Sequence, residues 1–301
     1  MTPTPRYVTL SHCWGKSQHM KLQTQNYSIL QKRQPNSILP KTYRDAFRVA
    51  LSLGIRFIWI DSLCIIQNDE ADWRSQSPLM GSIYHNSYCN IAATWGADGD
   101  DGCFSNRVPY TKCQARIALN TPGGRLVEHD ILDVHSYSRD ITEAQLNTRG
   151  WVIQERCLAR RQLSFARDQV YWECSDLSAS EQFPSGILGP MLKTKVSLQH
   201  IWSRVKPELD FSSELRLRES WTMLVELYSS CDFTIPSDRL FALVGLASSV
   251  QQTTSDEYIA GLWKRDIQKQ LCWQYEGRGE RCQDTDTLVP TWSWLKMNGK
   301  V

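Results

Sequence analysis

The pattern of apolar and polar segments is clearest between Leu53 and Thr94. A dense apolar run, Ile55 to Ile66, follows Gly54 and is rich in β-branched and aromatic residues, which predicts a buried strand. A polar loop comes next, and a helix is predicted from about Asp72 to about Tyr84. Tyr88 to Thr94 is apolar again and predicts a further strand.

Two more elements are predicted before this region. Arg6 to Leu10 alternates and is rich in β-forming residues, which indicates a strand that runs into a loop. Tyr43 to Leu53 has apolar residues at helical spacing, with Thr42 as a good N-cap and Gly54 as the stop. Strands and helices therefore alternate, which predicts an α/β fold with a parallel sheet flanked by helices.

Past Thr94 the pattern is weaker, and the predicted elements are mixed. They are a hairpin over Ile117–Glu128, a helix over Trp151–Leu158, strands at Gln162–Phe165 and Gln169–Cys174, and helices over Leu215–Tyr228, Asp238–Ala247 and Tyr258–Tyr275. This order predicts an α/β domain over residues 1–175 and a mostly helical C-terminal extension over residues 176–301 that packs on it. The sequence stops abruptly at TWSWLKMNGKV, as a truncated chain would.

Composition excludes several classes of protein. The chain is 41% apolar and 22% charged with a net charge of +2, which gives no general attraction to nucleic acid or to a membrane. We expect a cytoplasmic protein with no membrane span, because no secretory signal or sufficiently long apolar stretch is visible. The ten cysteines form no C-x-x-C pair and are expected to be free thiols.

Ligands of open α/β sheets bind in the crevice outside the carboxyl ends of the strands. Polar and aromatic side chains that follow the predicted strands, or flank the later tryptophan Trp151, are therefore candidate site residues. The candidates for catalysis are Asp61, Glu155 and His12, and the candidates for ligand binding are Ser11, Trp14, Ser62, Trp73, Arg149 and Trp151.

Each candidate also has a purely structural interpretation. Asp61 can hold a ribose hydroxyl or orient a base, or it can cap backbone N–H groups. His12 can be a general acid or base, or a hydrogen-bonded structural histidine. Trp73 can stack on a ligand or anchor its helix. Arg149 and Glu155 can be an anion-binding arginine with a catalytic carboxylate, or an internal salt bridge.

Familiar nucleotide and metal motifs are absent from the sequence. There is no G-x-x-x-x-G-K-[ST], G-x-G-x-x-G or H-E-x-x-H pattern, and the six histidines do not cluster. The DGDDG run begins like a calcium loop, but the twelfth position counted from Asp98 is Pro109 instead of the required glutamate. We therefore expect no metal site.

Several long sequence blocks closely resemble the fungal heterokaryon incompatibility (HET) domain, in the right order over most of the chain. They are YVTLSHCWG at 7–15, LPKTYRDAFRVALSLGIRFIWIDSLCIIQND at 39–69, DW at 72–73, MGSIYHNSYCNIAAT at 80–94, RGWVIQERCL at 149–158, DRLFALVGLA at 238–247 and VPTWSW at 289–294. The resemblance implies a filamentous fungus and a role in non-self recognition, where fusion of unlike cells triggers programmed cell death.

The HET domain is also distantly similar to TIR domains, which are flavodoxin-like, and some TIR domains hydrolyse NAD with a helical glutamate. In the HET pattern a glutamate commonly follows the tryptophan of DW by three residues, but here that position is Gln76. An amide cannot carry the negative charge. Pro78 disfavours helix at Ser77. A helix that starts later, with Pro78 in its first turn, would leave Gln76 outside it. Glu155, Asp61 or Asp72 would then have to supply the carboxylate.

Three functions follow from the resemblance. The first is a signalling or effector module that works by self-association or by binding a protein partner. The second is a TIR-type NAD glycohydrolase, for which NAD is the substrate and no further cofactor is expected. The third is a degenerate, inactive HET paralogue. None of the three involves nucleic acid.

Overall fold

The structure, a computed structural model, describes residues 5–15, 20–107, 115–120, 122–189, 211–276, 280–281 and 289–301. In the first 180 residues its strands are β1 Tyr7–Ser11, β2 Phe57–Trp59, β3 Asn90–Ala92, β4 Ala115–Asn120, β5 Leu126–Ile131, β6 Arg161–Phe165, β7 Val170–Cys174 and β8 Ser178–Ser180. The helices of this part are α1 Tyr27–Leu30, α2 Lys41–Ser52, α3 Asp61–Cys64, α4 Glu70–Gln76, α5 Met80–Asn86 and α6 Gly150–Leu158.

The later part is mostly helical. Its elements are α7 Phe211–Ser229, α8 Asp238–Thr254, β9 Tyr258–Ile259, β10 Leu262–Trp263, α9 Ile267–Gln270, β11 Glu280–Arg281 and β12 Met297–Asn298. Short 3₁₀ helices lie at Asn36–Ile38, Ser77–Leu79, Gln145–Thr148, Lys264–Asp266 and Trp294–Lys296, and Ser138–Thr142 forms a π turn. Within the described ranges, no helix is both long and apolar enough to cross a membrane.

A six-stranded sheet in the order β2-β1-β3-β6-β7-β8 forms the centre of the fold. The pairs from β2 to β6 are parallel, and β7 and β8 add antiparallel strands. Helices flank this sheet, which confirms the predicted α/β class and the mostly helical C-terminal region. The predicted hairpin is formed by β4 and β5, which pair antiparallel.

The two faces of the sheet differ in polarity. Apolar side chains of β1, β3, β6 and β7 pack with α2 on one face: Val8, Leu10, Ile91, Leu163 and Trp172. The register places Thr9, Asn90, Gln162 and Glu173 side by side on the opposite face, and all four are buried. We call these four residues the polar row. Helix α6 lies over this face, because Ser11 of β1 bonds to Glu155.

The Ile55–Ile66 run is not one buried strand, as the sequence predicted. Only Phe57–Trp59 is extended, and Phe57 is 53% exposed because, among the described strands, β2 pairs with β1 alone at the sheet edge. The chain then turns directly into α3, which begins at Asp61. Asp61 nevertheless follows the strand end as expected.

Two helix boundaries also differ from the prediction. Thr42 lies inside α2, which begins at Lys41 after Pro40, and its hydroxyl accepts a hydrogen bond from Gly102 N at 3.1 Å instead of capping the helix. The helix predicted over Asp72–Tyr84 is divided by the 3₁₀ turn Ser77–Leu79, because Pro78 has no N–H to donate. It begins at Glu70, where the Asp69 carboxylate caps Ala71 N at 2.9 Å.

The predicted helix over Tyr258–Tyr275 is wrong over its first half. Strands β9 and β10 pair there around Ala260 and Gly261, whose φ angles are 46° and 95°. Two consecutive residues with positive φ form a tight hairpin turn, and positive φ values are incompatible with a right-handed helix. Only the single turn α9 and the preceding Lys264–Asp266 turn are helical.

The C-terminal helices share a core with the α/β part. Helix α8 packs on α5 and α6, and one apolar cluster includes Tyr84 and Ile153 from the first part with Leu224 and Leu246 from the second. The backbone is also joined, because Asp232 N donates to Thr148 O at 2.7 Å and Gly150 N donates to Asp232 O at 3.2 Å. The N-terminus of α6 is therefore fixed from both sides.

Candidate functional site

A group of polar side chains meets at the carboxyl ends of β1 and β2, under helix α6. Ser11 is the last residue of β1, Asp61 follows β2 by two residues, and Glu155 lies in the middle of α6. The Ser11 hydroxyl donates a short hydrogen bond to Glu155 Oε2. The sequence-predicted crevice thus brings together residues that are far apart along the chain.

Glu155 has the most unusual electrostatic environment of the group. Its side chain belongs to the buried set, with 5% exposure, and burial together with the negative charge of Asp61 raises its pKa to about 7. The Ser11 hydrogen bond and the positive charge of Arg149 oppose this rise. Near neutral pH this carboxyl can therefore either hold or release a proton, which suits a general acid or base.

Asp61 is half-buried and lies next to the backbone of the following residue. Ser62 N donates to Asp61 Oδ1 at 2.7 Å. Burial raises the pKa of Asp61, while Arg149, the Ser62 N–H and the Trp14 indole lower it. Both interpretations of Asp61 therefore find support, since it caps a backbone N–H and also adds negative charge to the crevice.

Arg149 connects the start of α6 to the loop after β1. Its Nη1 donates to the His12 carbonyl oxygen at 2.6 Å, and its guanidinium carbon lies 5.9 Å from the centre of the Trp14 ring. Lys21 lies on the same ring at 4.7 Å. Arg149 is therefore bonded to the loop after β1, and its positive charge lowers the pKa of both Glu155 and Asp61. Lys21 acts in the same direction on Asp61.

His12 and Ser62 belong to a buried hydrogen-bond chain behind the crevice. The Tyr43 hydroxyl lies 2.6 Å from Ser62 Oγ and 3.4 Å from His12 Nε2. His12 is 4% exposed, and Ser62 and Tyr43 are fully buried. Burial raises the pKa of Tyr43 to about 12. These contacts favour the structural interpretation of His12.

The tryptophans Trp73 and Trp151 both contact α8. The Trp73 ring makes an edge-to-face contact with Phe241 at 5.2 Å, and Trp151 Nε1 donates to Asp238 Oδ2 at 3.0 Å. These contacts anchor α4 and α6 to the C-terminal region. Both side chains are only partly buried, so both residues remain candidates for ligand binding.

Gln76 is the last residue of α4, so Pro78 does not move it off the helix. Asp72, the other carboxylate considered, accepts a hydrogen bond from Ile66 N at 2.7 Å and fixes the loop before α4. Asp72 therefore has a structural partner, whereas Glu155 combines a crevice position with a raised pKa.

Sequence reasoning missed two residues of the site. Asn90 Nδ2 donates to Ser11 Oγ at 2.9 Å and to Gln162 Oε1 at 3.1 Å, which fixes the hydroxyl that bonds to Glu155. Tyr84 is fully buried next to Glu155 and Ser11, and burial raises its pKa well above the ordinary value. Asn90 could have been found from the sequence, because it is an amide within the apolar strand predicted over Tyr88–Thr94. For Tyr84 the sequence shows only helical spacing, which does not indicate a role in the site.

The group contains carboxylates and a histidine, but metal-binding geometry is missing from the part of the chain that the structure describes. No three His, Cys, Asp or Glu side chains there are placed to hold a metal ion. The eight cysteines within the described ranges are free thiols. The chemistry that this arrangement offers is acid–base chemistry and recognition of a charged, planar ligand.

Comparison with known proteins gives one match. The family model described as "Heterokaryon incompatibility protein (HET)" matches residues 7–155, about half of the chain. That segment contains Ser11, Asp61, Arg149 and Glu155, and it ends before β6, β7 and β8 complete the sheet. No curated protein and no solved structure matches the chain.

Proposed function

The chain belongs to the heterokaryon incompatibility family, and we propose that it is a signalling or effector module that promotes programmed cell death in fungal non-self recognition. The observation that carries the proposal is the family match over residues 7–155. It is supported by the crevice, where Ser11, Asp61, Arg149 and Glu155 act on one another through a hydrogen bond or through their charges. In this proposal the module acts in the cytoplasm by self-association or by binding a protein partner.

An exposed apolar strip supports the binding of a protein. Helix α8 packs against the Ser77–Leu79 turn, and these two elements carry Leu79, Phe241 and Val244 with exposures of 49%, 37% and 40%. Neighbouring exposed apolar side chains are typical of protein–protein contacts. A second copy of the chain is the simplest occupant, because both partners would then present the same strip.

Inducible expression in a filamentous fungus, with dye exclusion as the measure of viability, tests this function. We expect the wild-type chain to kill cells, Val244→Glu to abolish killing, and Asp61→Ala to retain it. Ile29→Glu, which changes another exposed apolar residue (60% exposed), is the matched control and should also kill. An unaffected culture that expresses folded wild-type chain would favour the inactive-paralogue alternative.

A second candidate function, TIR-type NAD glycohydrolase, is favoured by one observation. Glu155 offers a carboxyl in the crevice whose pKa is raised to about 7 by burial and by Asp61, and it can replace the acid that is missing at Gln76. A carboxylate at this place would stabilise an oxocarbenium-like centre as the nicotinamide leaves, as in glycoside hydrolysis. Arg149 would hold a phosphate oxygen of NAD.

NAD turnover by the purified chain at high concentration tests the second candidate. Turnover that is lost in Glu155→Gln, which keeps the side-chain shape and its acceptor oxygen, would support an enzyme with a relocated carboxylate. No turnover in the wild type but activity in Gln76→Glu would indicate an intact pocket that lacks its acid. No turnover in any of the three proteins would exclude this candidate and leave the interaction module.

A further inference from the structure

A groove in the C-terminal region is separate from the crevice. It has a volume of about 890 Å³ and is formed by α7, the β9–β10 hairpin, the segment around Trp273 and the last residues of the chain. Every residue that lines it lies at or after Arg218. Its volume is in the range of about 300–1,000 Å³ that is typical of small-molecule sites.

Aromatic side chains form the walls of this groove, and they are fixed by packing. The rings of Trp221 and Trp263 meet edge to face at 5.1 Å, and both side chains are more than nine-tenths buried. At the more open side, Trp273 Nε1 donates to the Trp292 carbonyl at 3.0 Å and the Tyr275 hydroxyl donates to the Asn298 carbonyl at 2.6 Å. The aromatic surface is therefore largely preformed, which lowers the entropy cost of binding a planar ligand.

The charges along the groove favour a cation. Two carboxylates of the lining are neutralised locally, because Asp266 pairs with Arg218 and Glu276 pairs with Lys300. The helix α7 adds Glu219 and Glu226, which are exposed on the same helical face and form no ion pair within the described ranges. Lys269 is the one further cation of the lining, so the groove carries a net negative charge.

One buried polar group in the lining of the groove has no partner within the described ranges. The indole N–H of Trp263 has no hydrogen-bond partner among the described residues, although Trp263 is only 6% exposed and lines the groove. A buried donor without a partner costs free energy, so such groups are normally satisfied in the functional state.

We propose that this C-terminal groove binds a small aromatic cation, whose ring lies against the tryptophans and whose positive charge faces Glu219 and Glu226. Cation–π attraction to the tryptophan rings and the two carboxylates act in the same direction. The proposal is independent of cell-death signalling and of NAD turnover, because no residue of the crevice takes part.

Isothermal titration calorimetry on the full chain tests the proposal, with benzyltrimethylammonium as the cation, benzyl alcohol as its neutral analogue and phenylacetate as the anion. We expect the cation to bind more tightly than the neutral analogue, and the anion to bind least. The double variant Glu219→Gln/Glu226→Gln should weaken cation binding about fivefold and leave benzyl alcohol binding unchanged. Trp273→Leu should weaken binding of both.

A matched variant separates local from general charge effects. Glu70→Gln/Asp100→Asn removes two exposed carboxylates far along the chain from the groove and should leave cation binding unchanged. Equal affinity for the cation and the neutral analogue would overturn the proposal, as would no measurable binding. Unchanged cation affinity in Glu219→Gln/Glu226→Gln would also overturn it.

Discussion

At the scale of single residues, the crevice depends on how Glu155 is held. Ser11 donates to its carboxyl, Asn90 fixes Ser11, and Asp61 adds a negative charge nearby. Each of these contacts crosses from one strand or helix to another. A substitution of Ser11, Asn90 or Asp61 is therefore expected to alter the pKa of Glu155, although Glu155 itself is unchanged.

The raised pKa of Glu155 predicts a pH-dependent contribution to stability. The unfolded chain ionises this group near pH 4.5, while the folded chain keeps it protonated to about pH 7. Because the folded state then binds more protons, the free energy of unfolding falls as pH rises through this window, by on the order of 1–3 kcal/mol. Urea unfolding at pH 4.5 and 7.5 should show this loss in the wild type and a smaller one in Glu155→Gln.

Glu70→Gln is the control for this measurement, because Glu70 is an exposed residue of α4. It should keep the pH dependence of the wild type. A Glu155→Gln protein with the same pH dependence as the wild type would contradict the raised pKa.

The sequence predicts those candidate site residues whose position along the chain is informative. Asp61 follows an apolar run, and Arg149 and Glu155 flank Trp151, so local pattern was enough. The roles of Tyr43, Tyr84 and Asn90 could not be predicted in this way. They arise from partners that are distant in sequence, and those partners are set by strand register and helix packing.

At the scale of elements, α8 approaches α5 and α6 unusually closely. A Cβ atom on Gly245 would lie 2.4 Å from Gln154 Oε1 and 3.3 Å from Gly81 Cα. Gly245 N also donates to Gln154 Oε1 at 3.1 Å. The glycine is needed for close approach of the helices and not for its backbone freedom.

We therefore expect Gly245→Ala to destabilise the protein by about 1–3 kcal/mol, although alanine is the better helix former. Thermal unfolding followed by circular dichroism measures the effect. Ser248→Ala changes an exposed position of the same helix and should leave the melting temperature within about 2 °C. An unchanged or higher melting temperature in Gly245→Ala would show that α8 can move away without cost.

The elements themselves were predictable where hydrophobic periodicity is strong. The first strand, α2 and α6 lie close to their predicted positions, and α7 and α8 extend beyond theirs. The failure at Tyr258–Tyr275 has a local cause: the Ala260–Gly261 turn folds an aromatic segment into a hairpin. Periodicity alone cannot reveal such a turn, because alanine rarely adopts a positive φ.

At the scale of the whole molecule, the predicted domain boundary at residue 175 lies within a continuous part of the structure. It falls between β7 and β8, which pair, and the shared core joins Tyr84 and Ile153 to α7 and α8. A fragment of residues 1–175 would expose that apolar surface. We expect this fragment to lack a cooperative thermal transition.

Circular dichroism melts of the 1–175 fragment and of the full chain measure this difference. Co-expression with residues 176–301 should restore the transition, because it returns α7 and α8 to the shared core. A fragment that melts cooperatively on its own would instead support two separable domains.

The polar row has a consequence for how the sheet assembles. Because side chains alternate between faces, a slip of one residue between β3 and β6 would turn Gln162 toward α2, where Val8, Leu10 and Ile91 pack. A buried amide without a partner would be left there, at a cost of about 1–3 kcal/mol. Thr9, Asn90, Gln162 and Glu173 thus favour one alignment of four strands, because a misaligned sheet would place one of these polar side chains among apolar ones.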